Sequence, residues 1–89
     1  MDIGERIYFA RAVPLCDIYD VIELNVRTVK NNWFVGVDTN THQAFPFDTS
    51  DIGTLIFSTQ KEAENIVKAA KKKYGERKLT KVTNEETEE

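Results

Sequence analysis

The chain has 89 residues, of which 40% are apolar, 10% aromatic and 30% charged, and its formal net charge is −3 at pH 7. This length accommodates one small domain and excludes a second. With a single cysteine the chain cannot form an internal disulfide, and a single histidine leaves no Cys/His set for structural zinc. No stretch reaches the roughly 18 apolar residues of a membrane span, and no secretory signal pattern opens the chain, so we expect a cytoplasmic protein.

Five segments are predicted to form strands, because they are rich in β-branched and aromatic residues or alternate apolar with polar positions. In chain order they are residues 5–13, 18–29, 33–38, 43–47 and 54–57. Pro14 ends the first strand because proline offers no donor to the ladder. Pro46 lies inside the fourth strand, which therefore belongs at an edge of the sheet.

The central hairpin has a predicted register. The asparagine pair at 31–32 tolerates the positive φ angles of a two-residue turn, and such a turn pairs Lys30 with Trp33. Continuing this pairing along both strands places Val26 beside Val37, and both valines are expected to face the core.

This register leaves an apolar patch on the outer face of the sheet, where Val29 and Phe34 are expected to meet near Tyr19 and Val21. A patch of this kind is either covered by the chain's own helix or left open as a docking surface. In the second case Trp33, at the corner of the hairpin, is the expected anchor, because interface hot spots favour tryptophan and tyrosine.

One helix is predicted after the strands. Thr59 and Glu62 form a capping box that starts it, and Gly75 is expected to end it in a left-handed conformation. Its apolar stripe consists of Ala63, Ile66, Val67 and Ala70. The domain is expected to span residues 1–78, with 79–89 as an acidic flexible tail.

Five short strands with a one-turn break before the last fit a small, strongly bent barrel better than a flat sheet. The sequence thus predicts a mainly β protein with one helix, namely an SH3-like five-stranded antiparallel barrel followed by a C-terminal amphipathic helix. Further signals are IYFAR at 7–11, WFVGV at 33–37, DIG at 51–53, LIF at 55–57 and KEA at 61–63. On these segments the chain resembles small, largely uncharacterised SH3-like proteins of phages and integrative elements of Gram-positive bacteria. The resemblance implies a fold and a mobile-element setting, and it implies no catalytic residues.

No catalytic residue, cofactor or metal ion is predicted. Cys16 and His42 lie in separate loops, and nothing in their spacing brings a nucleophile to a base. Residues 38–42 alternate Asp, Asn and His as a calcium loop does, but the glycine and glutamate of an EF-hand loop are missing, which favours a polar turn.

The first hypothesis of function is a non-enzymatic binding protein that docks a protein partner. In a mobile-element setting, an acidic barrel would inhibit a host nucleic-acid-processing defence complex by covering its basic groove, as anti-CRISPR proteins do. The expected partner-binding residues are Tyr19, Val29, Trp33 and Phe34 together with the acids Asp17, Asp20, Glu23 and Asp38.

The alternative is an accessory nucleic-acid-binding protein that uses the basic helix. Residues 61–81 carry eight basic and three acidic side chains. The expected phosphate contacts are Lys68, Lys71, Lys72, Lys73 and Arg77. The competing interpretation of the same lysines is a solvated helix end whose cations oppose the helix dipole.

Overall fold

The computed structural model describes the backbone of residues 1–88 and the side chains of residues 1–74. Two 3-10 turns, Pro14–Cys16 and Thr49–Asp51, follow the first and fourth strands. The strands and the helix are β1 (Arg6–Val13), β2 (Ile18–Val29), β3 (Trp33–Asp38), β4 (Ala44–Asp48), β5 (Ile56–Phe57) and α1 (Gln60–Glu88).

The strands form one antiparallel sheet in the order β4-β3-β2-β1-β5. The predicted class, mainly β with one helix, is confirmed. The sheet is not closed, because β4 and β5 are its two edges. Pro46 lies in β4, so the prediction that its strand is an edge strand is also confirmed. Of the last predicted strand only Ile56–Phe57 forms the strand. The N–H groups of Thr54 and Leu55 donate to the carbonyl of Asp51 instead, although the carbonyl of Leu55 still accepts the N–H of Ala10 in β1.

The inner face of the sheet holds the main core. Strand alternation places Ile7 opposite Leu24 and Phe9 opposite Ile22 on this face. Three phenylalanines close it: the ring centroids of Phe34 and Phe47 are 5.4 Å apart, and those of Phe9 and Phe47 are 4.9 Å apart. The buried members of this core are Ile7, Ile22, Leu24, Val26, Phe34, Phe47 and Ile56.

A β-bulge between Val26 and Thr28 overturns part of the predicted hairpin register. Lys30 does donate its N–H to the carbonyl of Trp33 at 2.9 Å, as expected. The extra residue, Arg27, then shifts the pairing, so that Val26 lies opposite Gly36 and not opposite Val37. The turn also forms without the expected positive φ angles at residues 31–32.

The bulge reverses which side chains face the core. Val29 and Phe34 were expected on the outer face, and that expectation is wrong. Phe34 is 0% exposed at the centre of the inner core, and Val29 packs against the same cluster. One inserted residue exchanges the two faces of a strand, because side chains alternate with a period of two.

The helix packs on the outer face of β1 and β2. Ala63 and Val67 are buried there against Ala10, and Tyr8, Tyr19, Val21 and Phe57 surround this second cluster. Ile66, a member of the predicted stripe, remains 42% exposed at the flank of the contact. The helical backbone continues through Gly75, so the predicted stop at that residue is wrong. The side chains of the proposed acidic tail, 79–89, lie outside the described residues.

Candidate functional site

The outer face of the sheet has a covered half and an open half. Over β1 and β2, the helix begins after Thr59, whose Oγ1 accepts the N–H of Glu62 at 3.3 Å, which is one half of the predicted capping box. In place of the other half, the hydroxyl of Thr59 donates to Oε1 of Glu62 at 2.7 Å. The helix then packs against Tyr19 and Val21, which are partly buried. The predicted outer patch is therefore covered where it contains Tyr19 and Val21, and it is absent where Val29 and Phe34 turn inward.

The open half lies over β3 and β4. Cross-strand pairing places Trp33 opposite Asp48, Val35 opposite Pro46 and Val37 opposite Ala44, on the face away from Phe34 and Phe47. The apolar members of this half, Trp33, Val35, Val37, Ala44 and Pro46, are named here the Trp33 surface. Trp33 is 45% exposed, and Ala44 and Pro46 are exposed beside it, whereas Val35 is buried and Val37 is half-buried.

The free edge of β4 is a poor template for an added strand. Because the N–H of Asp38 donates to the carbonyl of Gln43, alternation turns the backbone of Ala44, Pro46 and Asp48 toward solvent. Pro46 has no N–H, and the N–H of Asp48 donates to Oδ2 of Asp51 at 3.1 Å. Only Ala44 offers an edge donor, so the side-chain face is the more accessible part of this region for binding.

The predicted acidic contacts gather at the opposite end of the sheet. Asp38 lies five residues beyond Trp33 on β3, a separation of about 17 Å along an extended strand. Asp20 and Glu23 lie on β2 at the same end as Asp38, and Asp17 follows the first 3-10 turn. The structure therefore places Asp20, Glu23 and Asp38 around one groove, with Asp17 farther along at the start of β2, and it brings none of the four acids to Trp33.

Asp20, Glu23 and Asp38 accept hydrogen bonds from other groups of the same chain. Arg11 donates two hydrogen bonds to Asp20, from Nε at 2.9 Å and from Nη2 at 2.6 Å. Glu23 accepts the hydroxyl of Thr39 at 3.0 Å and lies 3.8 Å from Arg6. The hydrogen bond from Arg11 to Asp20 raises the pKa of the guanidinium above its ordinary value.

Asp38 organises the turn between β3 and β4. Its Oδ1 accepts the N–H of Asn40 at 2.7 Å and that of Thr41 at 3.2 Å. The hydrogen bond from Asn40 is the main cause that holds the pKa of this carboxyl below its ordinary value, and the charge of Arg11 adds to it. His42, in the left-handed region at φ 64°, completes the turn. The carboxylate thus stabilises the polar turn, which the sequence analysis favoured over a calcium loop.

The basic helix presents exposed lysines at the end of its contact with the sheet. Lys68 borders the groove between β2 and α1, beside Tyr19 and Asp20. No ion pair joins Lys68, Lys71 or Lys72 to another side chain within residues 1–74. The Nζ atom of Lys73 lies 5.7 Å from the ring centroid of Tyr74. The side chain of Arg77 lies outside the described residues.

Two exposed cations of the β2–β3 hairpin were not singled out from the sequence. Lys30 is the hairpin partner of Trp33, and Arg27 is the bulge residue beside the Thr28 and Val35 pair. Both are exposed. The predicted turn already implies that Lys30 lies next to Trp33, whereas the position of Arg27 follows only from the bulge.

Within the described part of the chain, no group of three or more His, Cys, Asp or Glu side chains could hold a metal ion. Cys16 is exposed after β1, and His42 lies in the turn between β3 and β4. No helix among the described residues is long and apolar enough to cross a membrane. Comparisons with protein families, with curated proteins and with solved structures found no match for this chain.

Proposed function

We propose that this protein is a non-enzymatic binding module, an SH3-like barrel with a C-terminal helix, that docks a protein partner through the Trp33 surface. The strand order supports the barrel part of the proposal: β5 returns beside β1 after a 3-10 turn, as expected for a small, strongly bent sheet. The resemblance to SH3-like proteins of phages and integrative elements is consistent with this architecture.

One observation carries the docking role: the helix covers the outer face over β1 and β2, whereas the same face over β3 and β4 exposes Trp33 together with Ala44 and Pro46. A half-exposed tryptophan with apolar neighbours is the composition that interface hot spots favour. The acids expected to contact a defence complex are mostly bonded to their own chain. The proposal therefore rests on Trp33 and not on the acidic end.

The test is an affinity capture from nuclease-treated bacterial lysate, with the bound proteins identified by mass spectrometry. The proposal predicts a stoichiometric protein that the wild type retains and Trp33→Ala loses. Leu15→Ala is the matched control, because Leu15 is 98% exposed in the first 3-10 turn, outside the Trp33 surface. A partner retained equally by wild type and Trp33→Ala would contradict the proposal.

A second candidate function uses the helix. At 100° per residue, Lys61, Lys68 and Lys72 fall on the side of α1 opposite Ala63 and Val67, and each is exposed. Three lysines on one face, with no ion pair among residues 1–74, would neutralise phosphates and produce salt-dependent binding of nucleic acid. Replacing Lys61, Lys68 and Lys72 with glutamine should abolish binding of a duplex DNA probe if this function holds, while leaving capture through Trp33 unchanged.

A further inference from the structure

We propose that the first half of β2 receives an extended, basic segment of a protein partner as an added strand. The site is the side of β2 that faces away from β1 over residues 18–23, and it is named here the β2 edge. It lies at the opposite end of the sheet from the Trp33 surface. The inference therefore goes beyond the proposed docking function and does not depend on it.

The β2 edge has no strand beside it within the described residues. β2 is 12 residues long, and β1 pairs with it from Ile18 to Asn25. On the other side, pairing with β3 begins only at Leu24. The N–H of Thr39 then donates to the carbonyl of Glu23 at 3.1 Å, after which the chain turns toward β4. Because β3 is the shorter strand, the first half of β2 stays open on one side.

Strand alternation identifies the open backbone groups. In an antiparallel ladder the N–H and carbonyl of one residue point to the same side, and successive residues point to opposite sides. Glu23 accepts Thr39 on the side away from β1, so Tyr19 and Val21 also point to that side. No backbone hydrogen bond between described residues uses the carbonyls of Tyr19 and Val21, or the N–H groups of these two residues and Glu23. A row of this kind is a template for an extended peptide backbone.

A groove lies on each side of the β2 edge. Toward the inner face, a groove of about 290 Å³ lies between β2 and residues 40–41 of the turn after β3. Toward the outer face, a groove of about 300 Å³ lies between β2 and α1, with Tyr19, Val21 and Val67 as its apolar lining. Charged residues of both signs also line the outer groove, namely Asp20, Glu64 and Lys68. The side chains of an added strand would enter the two grooves alternately.

The charge of the inner groove selects a basic segment. Its charged lining consists of one cation and three acids, namely Arg11, Asp20, Glu23 and Asp38. Arg11 is neutralised by Asp20 at 2.6 Å, and Glu23 lies 3.8 Å from Arg6. Asp38 forms no ion pair with the side chains of residues 1–74, and it keeps its charge while its carboxylate accepts backbone N–H groups. A cationic side chain is therefore attracted to this groove, and an acidic one is repelled.

A second copy of this chain is a poor occupant of the β2 edge. Residues 17–23 include Asp17, Asp20 and Glu23 and no basic residue. Pairing two copies edge to edge would align two acidic segments, and like charges on neighbouring strands are destabilising. Charges placed along an open edge protect natural sheets from self-association in the same way.

The experiment is a selection of random 12-residue peptides displayed on phage against the full chain. We expect basic residues to alternate with apolar ones, because one set enters the inner groove and the other set enters the outer groove. N-methylation of single amides in a selected peptide should weaken binding about three- to tenfold where the N–H faces the β2 edge. Methylation at the positions between should leave the affinity unchanged.

Amide hydrogen exchange locates the bound peptide on the protein. The N–H groups of Tyr19, Val21 and Glu23 should exchange rapidly in the free protein and become protected when a selected peptide binds. Ala44 is the matched control, because its N–H is an open donor at the β4 edge of the same sheet and should not change.

A matched pair of variants tests the charge. Asp38→Asn should weaken peptide binding about two- to fivefold at low salt, as expected for an exposed charge pair. Asp48→Asn should leave binding unchanged. In both variants the amide oxygen replaces the Oδ1 atom that accepts a turn N–H, so both turns keep their hydrogen bond.

The possible outcomes decide between the β2 edge and its alternatives. A failure to select peptides, methylation effects without alternation, acidic or uncharged consensus peptides, or protection of Ala44 in place of β2 would each overturn the proposal. Protection of the three β2 amides that rises with protein concentration without peptide would also overturn it, in favour of a second copy. Trp33→Ala should bind the peptides with unchanged affinity, so failure at the β2 edge would leave the capture test of the Trp33 surface unaffected.

Discussion

Trp33 and Phe34 are neighbours in β3 that point to opposite sides of the sheet, and truncating each to alanine should have sharply different effects on stability. Phe34 is 0% exposed, and its ring stacks on Phe47 with centroids 5.4 Å apart. Removing a fully buried phenylalanine costs about 3–5 kcal/mol in lost transfer free energy and cavity formation. Trp33 keeps 45% of its surface in water, so its truncation should cost only about 1–2 kcal/mol.

The difference is large on the scale of such a domain, whose total free energy of unfolding is about 5–15 kcal/mol. The assay is urea denaturation followed by far-UV circular dichroism, because Trp33→Ala removes the single tryptophan. With a slope of about 1.3 kcal/mol/M, the midpoint should fall by about 2–4 M for Phe34→Ala and by about 1 M for Trp33→Ala. Phe34→Leu and Trp33→Leu repeat the comparison with smaller losses of volume, should Phe34→Ala unfold at 25 °C.

The comparison tests the bulge directly. Without the extra residue Arg27, the hairpin pairing would continue to Val26 and Val37, and Phe34 would face solvent. Equal costs at the two positions, or a larger cost at Trp33, would therefore refute the assignment of faces. The same result would remove the basis of the Trp33 surface, because the tryptophan would then belong to the core.

Three further changes probe individual contacts. Gly36→Ala should lower the free energy of unfolding by about 1–3 kcal/mol, because an added Cβ would lie 2.9 Å from Cδ1 and 3.1 Å from Cβ of Leu24. Thermal denaturation should show a smaller loss in a Leu24→Ala background, and strictly additive losses would contradict the steric clash. Asp38 has a pKa held below its ordinary value near 3.8 by the Asn40 hydrogen bond, so its stabilising contribution is present above that pH and is lost as the pH falls through the folded-state pKa. The stability advantage of the wild type over Asp38→Asn should therefore shrink on acidification in urea titrations, and an advantage independent of pH would count against this role. Thr59→Ala should cost about 0.5–2 kcal/mol through loss of the helix cap, whereas Thr59→Ser should be nearly neutral by the same measurement, and equal losses in both variants would exclude the cap as the cause.

The positions of the acids change how charge-reversal experiments should be interpreted. Asp20 and Glu23 each bond to a side chain of the same chain, and Asp38 holds its own turn. Reversing any of the three would disturb the fold as well as the surface charge. Asp17 is also constrained, because it occupies the left-handed region at φ 56°. Variants at Arg27, Lys30 and Trp33 avoid this difficulty, since those side chains make no polar contact within the described residues.

Local sequence determined most of the elements. The segments of β1 to β4 and the start of α1 follow from β-branched content, from alternation and from the capping box at Thr59. Pro46 predicted that its strand lies at an edge of the sheet, because proline has no N–H to donate. The hairpin turn predicted that Lys30 pairs with Trp33. These properties depend on groups within a few residues of one another, so a single sequence carries them.

The tertiary structure decided which faces the elements bury. The bulge at Arg27 belongs to the pairing of β2 with β3, and the absence of a side chain at Gly36 leaves the space that Leu24 fills. This shift buried Phe34, and the docking of α1 on β1 and β2 then left Trp33 as the exposed aromatic of the open half. Likewise, only the fold brings Arg11 to Asp20 and leaves Arg27 without an ion pair among the side chains of residues 1–74. Such outcomes depend on contacts between segments that are distant in sequence. These segments compete for places in one core, and a local sequence pattern does not encode which of them is buried.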